Sequence, residues 1–444
     1  MVDLGIKEKM KFILNVGQIL AENGATADKI INNAKRTARA LNIPAENFNF
    51  KVMPTVLLLN VSDGEKSHLA FRNYESRGVD MNIVNLTNAF TVKLANKNYS
   101  PEKFQDVLDK IASQKKIYPH TKIISATGLF CGAFCFLFGG DLLASFYTAI
   151  CAAFGKLFQI QSIKYGVNHF LAIAIAAFVA TFFAYFAHFL PSETKWLPII
   201  SCSLFLIPGI PIMNAITESL GGFLLNGMTK AYHSTLIAIA LTIGLVFAAA
   251  ICDKLEPIDL TNISLSSSHN LIELLFAGII VSISFSTFIN TPKRILPLLG
   301  ILGVVALAVK NFMIYGLAVS PAVSTFCAAF LIGILAIAAK KYTHAPTQVL
   351  TVPAIISFVP GVLIYRFLSS CMYIRYMNAE EFFYEMGFGI DALQIIFAMT
   401  IGVTLPNLIA SKYIKEKIIK KRDCLKIPMK IGVFIGFLII SFKL

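Results

Sequence analysis

Residues 204–222 read LFLIPGIPIMNAITESLGG. Pro208, Gly209 and Pro211 interrupt an apolar run that would otherwise form one helix. Each proline lacks an N–H and clashes with the preceding turn, which costs an unbroken helix about 3 kcal/mol. The interruption falls near the middle of an apolar segment at about 196–216. A second segment, at about 349–370, carries Pro360-Gly361 near its own middle. In hydrocarbon, freed backbone groups need partners from the protein or from a water-filled cavity. Two breaks at that depth present half-helix N-termini, with free N–H groups and a positive dipole end that suits a carboxylate.

The composition places these breaks in a membrane. Of 444 residues, 56% are hydrophobic and 14% charged, against about 25% charged in soluble domains. Mean hydropathy is +0.69. The net charge of +14 sits beside apolar segments, which is the pattern of membrane insertion and not of nucleic-acid binding. Cysteines such as Cys131, Cys135, Cys151, Cys202 and Cys327 lie inside apolar segments and read as small buried hydrophobes, with no disulfide framework and no metal-ligand spacing. No signal peptide opens the chain. Lys7, Lys9 and Lys11 instead interleave an amphipathic helix.

Residues 1–120 read as a small α+β domain, taken as cytoplasmic. Helices are expected at about 4–22, with Gly24 at C′, and at 26–41, with Thr26 as N-cap. Short strands follow at 48–52, 55–61 and 67–73, with Ser62-Asp63-Gly64 as the turn between the last two. Helices return at 80–97 and 101–115, the latter with Ser100 as cap and Pro101 at N1.

Ten apolar segments follow, at about 122–139, 141–158, 168–190, 196–216, 231–251, 271–290, 294–310, 317–339, 349–370 and 387–410. About 20 apolar residues cross the hydrocarbon as a helix. The offset of 152 that takes Gly209 to Gly361 also takes Asn168 to Ser320, 122–139 to 274–291, and 231–251 to 383–403. The expected fold is therefore an α-helical integral membrane protein. Its ten transmembrane helices form a 5+5 inverted repeat, because five spans per half turn the second half upside down. The repeats occupy 121–252 and 271–410, and a basic tail covers 411–444. Within that tail, 429–444 is compatible with an interfacial helix or with an eleventh span.

Lysine and arginine set the orientation. Lys156, Lys164, Lys230, Lys293, Arg294, Lys340, Lys341 and the basic stretch 412–430 fall on the side of the N-terminal domain. Lys195, Lys254, Lys310 and Arg375 fall in loops on the other side, among Glu193, Asp253, Glu256, Glu380, Glu381 and Glu385. The bias puts the N-terminal domain and 412–430 in the cytoplasm of a bacterial inner membrane.

Polar residues gather near the breaks. Asn214 lies one turn past Pro211, and Thr217 and Glu218 lie one turn further. Arg366 follows Gly361 by five residues. The substrate-binding candidates are Pro208, Gly209, Pro211, Asn214, Thr217, Pro360, Gly361 and Arg366. Glu218 and Asp391 are the candidates for ion coupling, since charges inside spans are costly and often functional. Arg366 and Asp391 can pair, or snorkel to the interface. Lys156 reads as lying near the cytoplasmic end of its span, and His169, His188 and His233 as interfacial. Ser282, Ser284, Ser286 and Thr287 suit helix–helix hydrogen bonds or, in part, a cavity wall. No HExxH, GxSxG or Walker A motif occurs. Gly387-Phe388-Gly389-Ile390-Asp391 has one residue too many for a GxGD motif, and no second intramembrane aspartate stands out. No enzyme activity, cofactor or metal is expected.

Three stretches resemble the threonine/serine exporter family: LIPGIPIMNAITESLGGFLLNGMTKA (206–231), LAENGATADKIINNA (20–34) and VPAIISFVPGVLIYR (352–366). The resemblance covers about 10–410. Glu218 stands where the family pattern leads one to expect aspartate, with the carboxylate kept. The resemblance implies a cytoplasmic N-terminal domain, ten spans, and efflux of threonine and serine. Relatives that split the halves between two chains are associated with dicarboxylate export, notably of succinate. The expected function is thus a secondary active exporter of small polar amino acids, driven by protons or another ion and working by alternating access around spans four and nine. Dicarboxylate export is the alternative, and a membrane-anchored sensor with a ligand-binding N-terminal domain is an alternative of another class. The expected partners are a small-molecule substrate, a coupling ion, the lipid bilayer and a possible second copy of the chain.

Overall fold

The computed structural model describes residues 5–62, 64, 66–76, 78–94, 100–252, 269–343, 345–373 and 378–420. The loop centred on 260, Arg375 and the segment 429–444 lie outside the described residues.

Among its described residues the N-terminal part contains four helices and one sheet. Helix α1 (Ile6–Glu22) buries Met10, Ile13, Leu14, Val16 and Leu20, the apolar stripe at helical spacing. It ends where Gly24 turns to a φ of +85°, which suits a residue without Cβ. Helix α2 (Ala27–Ala40) follows, with Thr26 as N-cap residue. Strands β1 (Phe48–Val52), β2 (Val56–Ser62) and β3 (Ser67–Asn73) form an antiparallel meander in the order β1-β2-β3. Leu57, Leu59 and Val61 alternate into the core from β2, and Leu58 pairs across the strands with Lys51 and Phe71. Helices α3 (Met81–Leu94) and α4 (Pro101–Ala112) close the layer. The Ser100 hydroxyl accepts the Lys103 N–H at the start of α4. Inside, Thr91 of α3 donates to the Asn33 side chain of α2.

The rest of the described chain is helical. It runs through α5 (His120–Leu137), α6 (Leu142–Lys164), α7 (His169–Tyr185), α8 (Leu197–Ser201), α9 (Gly209–Leu220), α10 (Leu224–Cys252), α11 (Leu271–Phe288), α12 (Leu296–Asn311), α13 (Pro321–Thr343), α14 (Thr347–Ile355), α15 (Gly361–Tyr373) and α16 (Ala379–Lys420). Among the described residues eight helices are long and apolar enough to cross a membrane. Two further pairs are bent at a short break: 197–206 with 209–220 by 53°, and 347–358 with 361–368 by 61°. Counting each bent pair as one span brings the number to ten. The molecule is a multi-pass membrane protein by length and composition of these helices. Several boundaries differ from expectation. Helix α16 starts at Ala379, eight residues before the expected 387. Helix α6 continues to Lys164, six residues past the expected 158. Helix α10 starts seven residues earlier than 231. Lys310 lies within α12 and not in a loop.

Small residues let the membrane helices approach closely. A Cβ on Gly132 of α5 would sit 2.6 Å from the Ser145 carbonyl oxygen of α6. One on Gly155 would sit 2.8 Å from the Ala180 Cβ of α7, and one on Gly402 of α16 would sit 2.7 Å from the Phe326 carbonyl oxygen of α13.

The two parts are hydrogen-bonded together. Ala27 N–H donates to Glu218 Oε1 at 2.9 Å, and Asn226 Nδ2 donates to the Val52 carbonyl at 3.1 Å. Asn290, held at a φ of 58°, donates to Asp80 Oδ2 at 2.7 Å and accepts the Ile117 N–H at 2.9 Å. The N-terminal part therefore binds both halves of the membrane part, through α9 and α10 of the first and the turn after α11 of the second.

Candidate functional site

The two breaks are built alike. A single 3₁₀ turn, Leu204–Leu206 or Ile356–Phe358, precedes each. Gly209 N–H donates back to the Ile207 carbonyl at 2.8 Å, and Gly361 N–H donates to the Val359 carbonyl at 2.8 Å. With Pro208 at φ −76° and ψ 52°, this is an inverse γ-turn. The helices resume as Ile212 N–H reaches the Pro208 carbonyl at 3.1 Å and Ile364 N–H reaches that of Pro360 at 3.0 Å.

This geometry leaves fewer bare amides than the sequence suggests. The Gly209 N–H is used in the turn and Pro211 has none. Ile210 N–H is the remaining first-turn donor of α9 without a backbone partner among the described residues. Helix α15 has no second proline, and its Val362 and Leu363 N–H groups lack backbone partners.

The breaks touch each other. A Cβ on Gly209 would lie 3.5 Å from Val359 Cγ2, and one on Gly361 would lie 3.6 Å from Ile207 Cδ1 while pressing on Leu204 Cδ2. Both open on a cavity of about 990 Å³. Pro208, Gly209, Pro211 and Gly361 line it, together with Ile207 and Val359. Its other end lies against the N-terminal part, at Glu22, Asn23, Asp80 and Lys116.

The cavity holds cations that the sequence reading did not place there. Lys156 Nζ stands 4.6 Å from the ring centre of Phe288 and 5.9 Å from that of Phe205, and donates to Gln159 Oε1 at 2.8 Å. Eight residues of α6 separate Lys156 from Lys164, about 12 Å of helix. It is therefore an interior residue and not a rim residue. His169 of α7 and His233 of α10 also line the cavity, with rings 6.2 Å apart. The carboxylates lining it, Glu22 and Asp80, both belong to the N-terminal part. Asp80 is committed elsewhere: it caps α3 by accepting the Asn82 and Ile83 N–H groups at 3.0 and 3.1 Å.

Other candidates lie outside the cavity. Asn214 accepts from Gln348 Nε2 at 3.2 Å, and Thr217 meets Thr404 at 3.3 Å, so both link α9 to the second half. Pro360 belongs to its break without lining the cavity. Arg366 pairs with Glu385 at 3.0 Å, not with Asp391, and its guanidinium lies 3.9 Å from the Phe388 ring centre. Asp391 is exposed on α16. Glu218 is 2% exposed and bonded to Ala27 and, at 2.6 Å, to Lys230. Burial, and behind it the Glu218 carboxylate, push the Tyr74 phenol up to about 12. Ser286 and Thr287 bond back within α11, to the Ser282 and Ile283 carbonyls. Ser284 and Thr287 face a separate small pocket beside α5.

No solved structure is detectably similar to the chain. It is 25% identical over 236 residues to a protein of Klebsiella aerogenes named "Probable succinate transporter subunit YjjP", covering 52% of this chain and 88% of that protein. The protein of the same name from Escherichia coli K12 is 22% identical over 246 residues, covering 54% of this chain and 93% of that protein. A family model described as a threonine/serine exporter (ThrE) matches residues 11–252, more than half of the chain, and a second, "Threonine/Serine exporter, ThrE", matches 274–409. The chain thus belongs to the threonine/serine exporter family.

Proposed function

We propose that the protein is a secondary active exporter of small carboxylates that binds its substrate where the two broken helices meet. The observation that carries this reading is Lys156. It supplies a cation in the cavity between two aromatic rings, beside the only breaks in the described membrane helices. A carboxylate there accepts a charge-assisted hydrogen bond from Lys156 and faces the N-terminal ends of α9 and α15. His169 and His233 add donors, and no carboxylate from the membrane helices lines the cavity among the described residues. This charge balance suits a net anion better than a zwitterion, whose ammonium would need an acceptor. We therefore favour a dicarboxylate, in line with the name of the two relatives. Export of threonine or serine is the second reading, supported by the family description. For that substrate the Gln159 amide oxygen and the break carbonyls are the acceptors beside Lys156, and the Glu22 carboxylate is one at the cavity's other end.

The architecture suits alternating access. The two halves carry the same order of helices and equivalent breaks, 152 residues apart from Gly209 to Gly361, which supports ten spans in an inverted repeat. The lysine and arginine bias supports a cytoplasmic N-terminal part in a bacterial inner membrane. The cavity then opens toward the cytoplasm, past that part. No ATPase motif is present in the sequence, so the energy is taken to come from an ion gradient, with protons the simplest choice.

The test is counterflow in proteoliposomes. Labelled succinate and labelled threonine are each exchanged against an excess of either compound, with and without a pH gradient. Succinate exchange that threonine does not compete supports the dicarboxylate reading. The reverse result supports amino-acid export. Exchange of neither overturns carboxylate transport.

A further inference from the structure

Lys310 has in the second half a placement like that of Lys156 in the first, two residues beyond Ala308, the position that the offset of 152 gives. Lys156 lies in α6, the second membrane helix of its half, over Phe205 in the 3₁₀ turn that precedes Pro208. Lys310 lies in α12, the second membrane helix of its half, over Phe358 in the 3₁₀ turn that precedes Pro360. The ammonium-to-ring distances are 5.9 and 5.0 Å. The two lysines differ in surroundings. Lys156 borders the cavity and bonds Gln159. Lys310 does not border it, and among the described residues its ammonium has no hydrogen bond and no ion pair.

An ammonium at membrane depth without an anion is costly, and intramembrane charges mark substrate and ion paths. A ring face offsets only about 0.5–2 kcal/mol of that cost. Lys310 stands six residues before Gly316, where the apolar segment 293–316 ends, about 9 Å of helix. A π-helical turn, Phe312–Gly316, follows it directly, and such turns gather at functional sites. In an inverted repeat, the equivalent of a residue that opens to one side of the membrane opens to the other.

We propose that Lys310 is the opposite-side counterpart of Lys156. It receives the substrate carboxylate in the state open away from the N-terminal part, as Lys156 receives it in the state open toward that part. The ligand class is a small carboxylate anion, held in turn by two equivalent lysine–phenylalanine pairs around one pair of breaks. This inference rests on the proposed transport function.

The experiment measures exchange with substrate titrated from each side of oriented vesicles, using whichever carboxylate the wild type exchanges. Lys310→Gln is expected to raise the KM at least tenfold on the side away from the N-terminal part and to leave the other side within about twofold. Lys156→Gln is expected to do the opposite, and Lys310→Arg to keep near wild-type values. As a control for folding, Lys310→Cys is made with Cys371→Ser, which removes the exposed thiol among the described residues. It is treated from the far side with aminoethyl methanethiosulfonate, which replaces the lost cation. Restored exchange supports the proposal, provided the negatively charged sulfonatoethyl reagent does not restore it. Equal KM changes on both sides, no change on either, or no restoration by the cationic reagent would overturn it. A wild type that exchanges no carboxylate would instead defeat the transport reading itself.

Discussion

Glu218 Oε1 accepts the backbone N–H of Ala27 at 2.9 Å, a contact between the last turn of a broken membrane helix and the first residue of a helix in the N-terminal part. The same oxygen takes the Lys230 ammonium at 2.6 Å. A carboxylate at the start of α2 is also favoured by the dipole of that helix. Since α9 begins at the break and ends at this contact, the N-terminal part is tied to one wall of the proposed site.

Removing the carboxylate should loosen that tie. Glu218→Ala leaves Lys230 and the start of α2 without their anion, and breaking one side of a buried pair costs about 3–5 kcal/mol. Lys230 is one-third exposed, which places the expected loss at the lower end of that range. Glu218→Gln keeps an acceptor for Ala27 and is expected to lose less. The check is thermal melting in detergent, together with the rate of proteolysis between α4 and α5. If Glu218→Ala melts with the wild type and is cut no faster, the contact does not hold the two parts together.

The two glycines of the breaks should respond differently to the same methyl group. A Cβ on Gly209 meets ordinary contact at 3.5 Å, whereas one on Gly361 overlaps Leu204, which is 6% exposed. Gly361→Ala is therefore expected to cost about 1–3 kcal/mol by overpacking and to slow transport. Gly209→Ala should stay within about 1 kcal/mol. Melting temperatures and exchange rates of the two variants decide this. Equal effects would mean that the breaks do not touch as described.

Much of this was legible in residue order, and the exceptions share a cause. Prolines 208 and 360 mark the breaks because the ring forbids a continued ladder, and that is a local effect. Strands 48–52 and 67–73 follow from local alternation. Lys156 reads as lying near a span end because hydropathy falls where LFQIQSIK begins to mix polar residues, although the helix runs on to Lys164. Glu218 reads as a candidate for ion coupling, and residue order does not show that its partners are Lys230 and an amide 191 residues away. His169 and His233 sit at the ends of separate helices, and only packing brings their rings to 6.2 Å. Arg366 has several carboxylates downstream on α16, Glu380, Glu381, Glu385 and Asp391 among them, and residue order does not choose between them.

At the far end of the bundle, Asp141 gives a pH dependence. It caps α6 through the Ala144 N–H at 2.6 Å and also accepts from the Ser192 hydroxyl and the Glu193 N–H. Burial alone would raise its carboxyl, but these hydrogen bonds and that of Thr194 outweigh it and hold the group below the usual carboxylate value. A lowered native pKa stabilises the fold above the unfolded value of about 3.9, and this contribution is lost as pH falls through the native value. Asp141→Ala should cost about 1 kcal/mol at pH 7. Its gap from the wild type should narrow below about pH 4. Melting curves at pH 7, 5 and 3.5 test both statements, and a gap that widens in acid would refute the assignment.

Lys156 carries the most weight in the proposed site, so its substitution separates binding from scaffolding. If its ammonium holds a substrate carboxylate, Lys156→Gln loses a hydrogen bond to a charged group, about 1.5–3 kcal/mol, or a rise in KM of about 10- to 100-fold. Lys156→Arg keeps the charge and the stacking on Phe205 and Phe288, but its planar fork reaches further, so a smaller rise of a few-fold is expected. The same Gln variant should fold no worse than the wild type, because among the described residues the ammonium's protein partners are one amide oxygen and two ring faces. KM from the side of the N-terminal part is measured with melting temperature alongside. A large KM effect with an unchanged melt places the charge on the substrate. A lowered melt with unchanged KM would make Lys156 a packing residue and remove the cation from the mechanism.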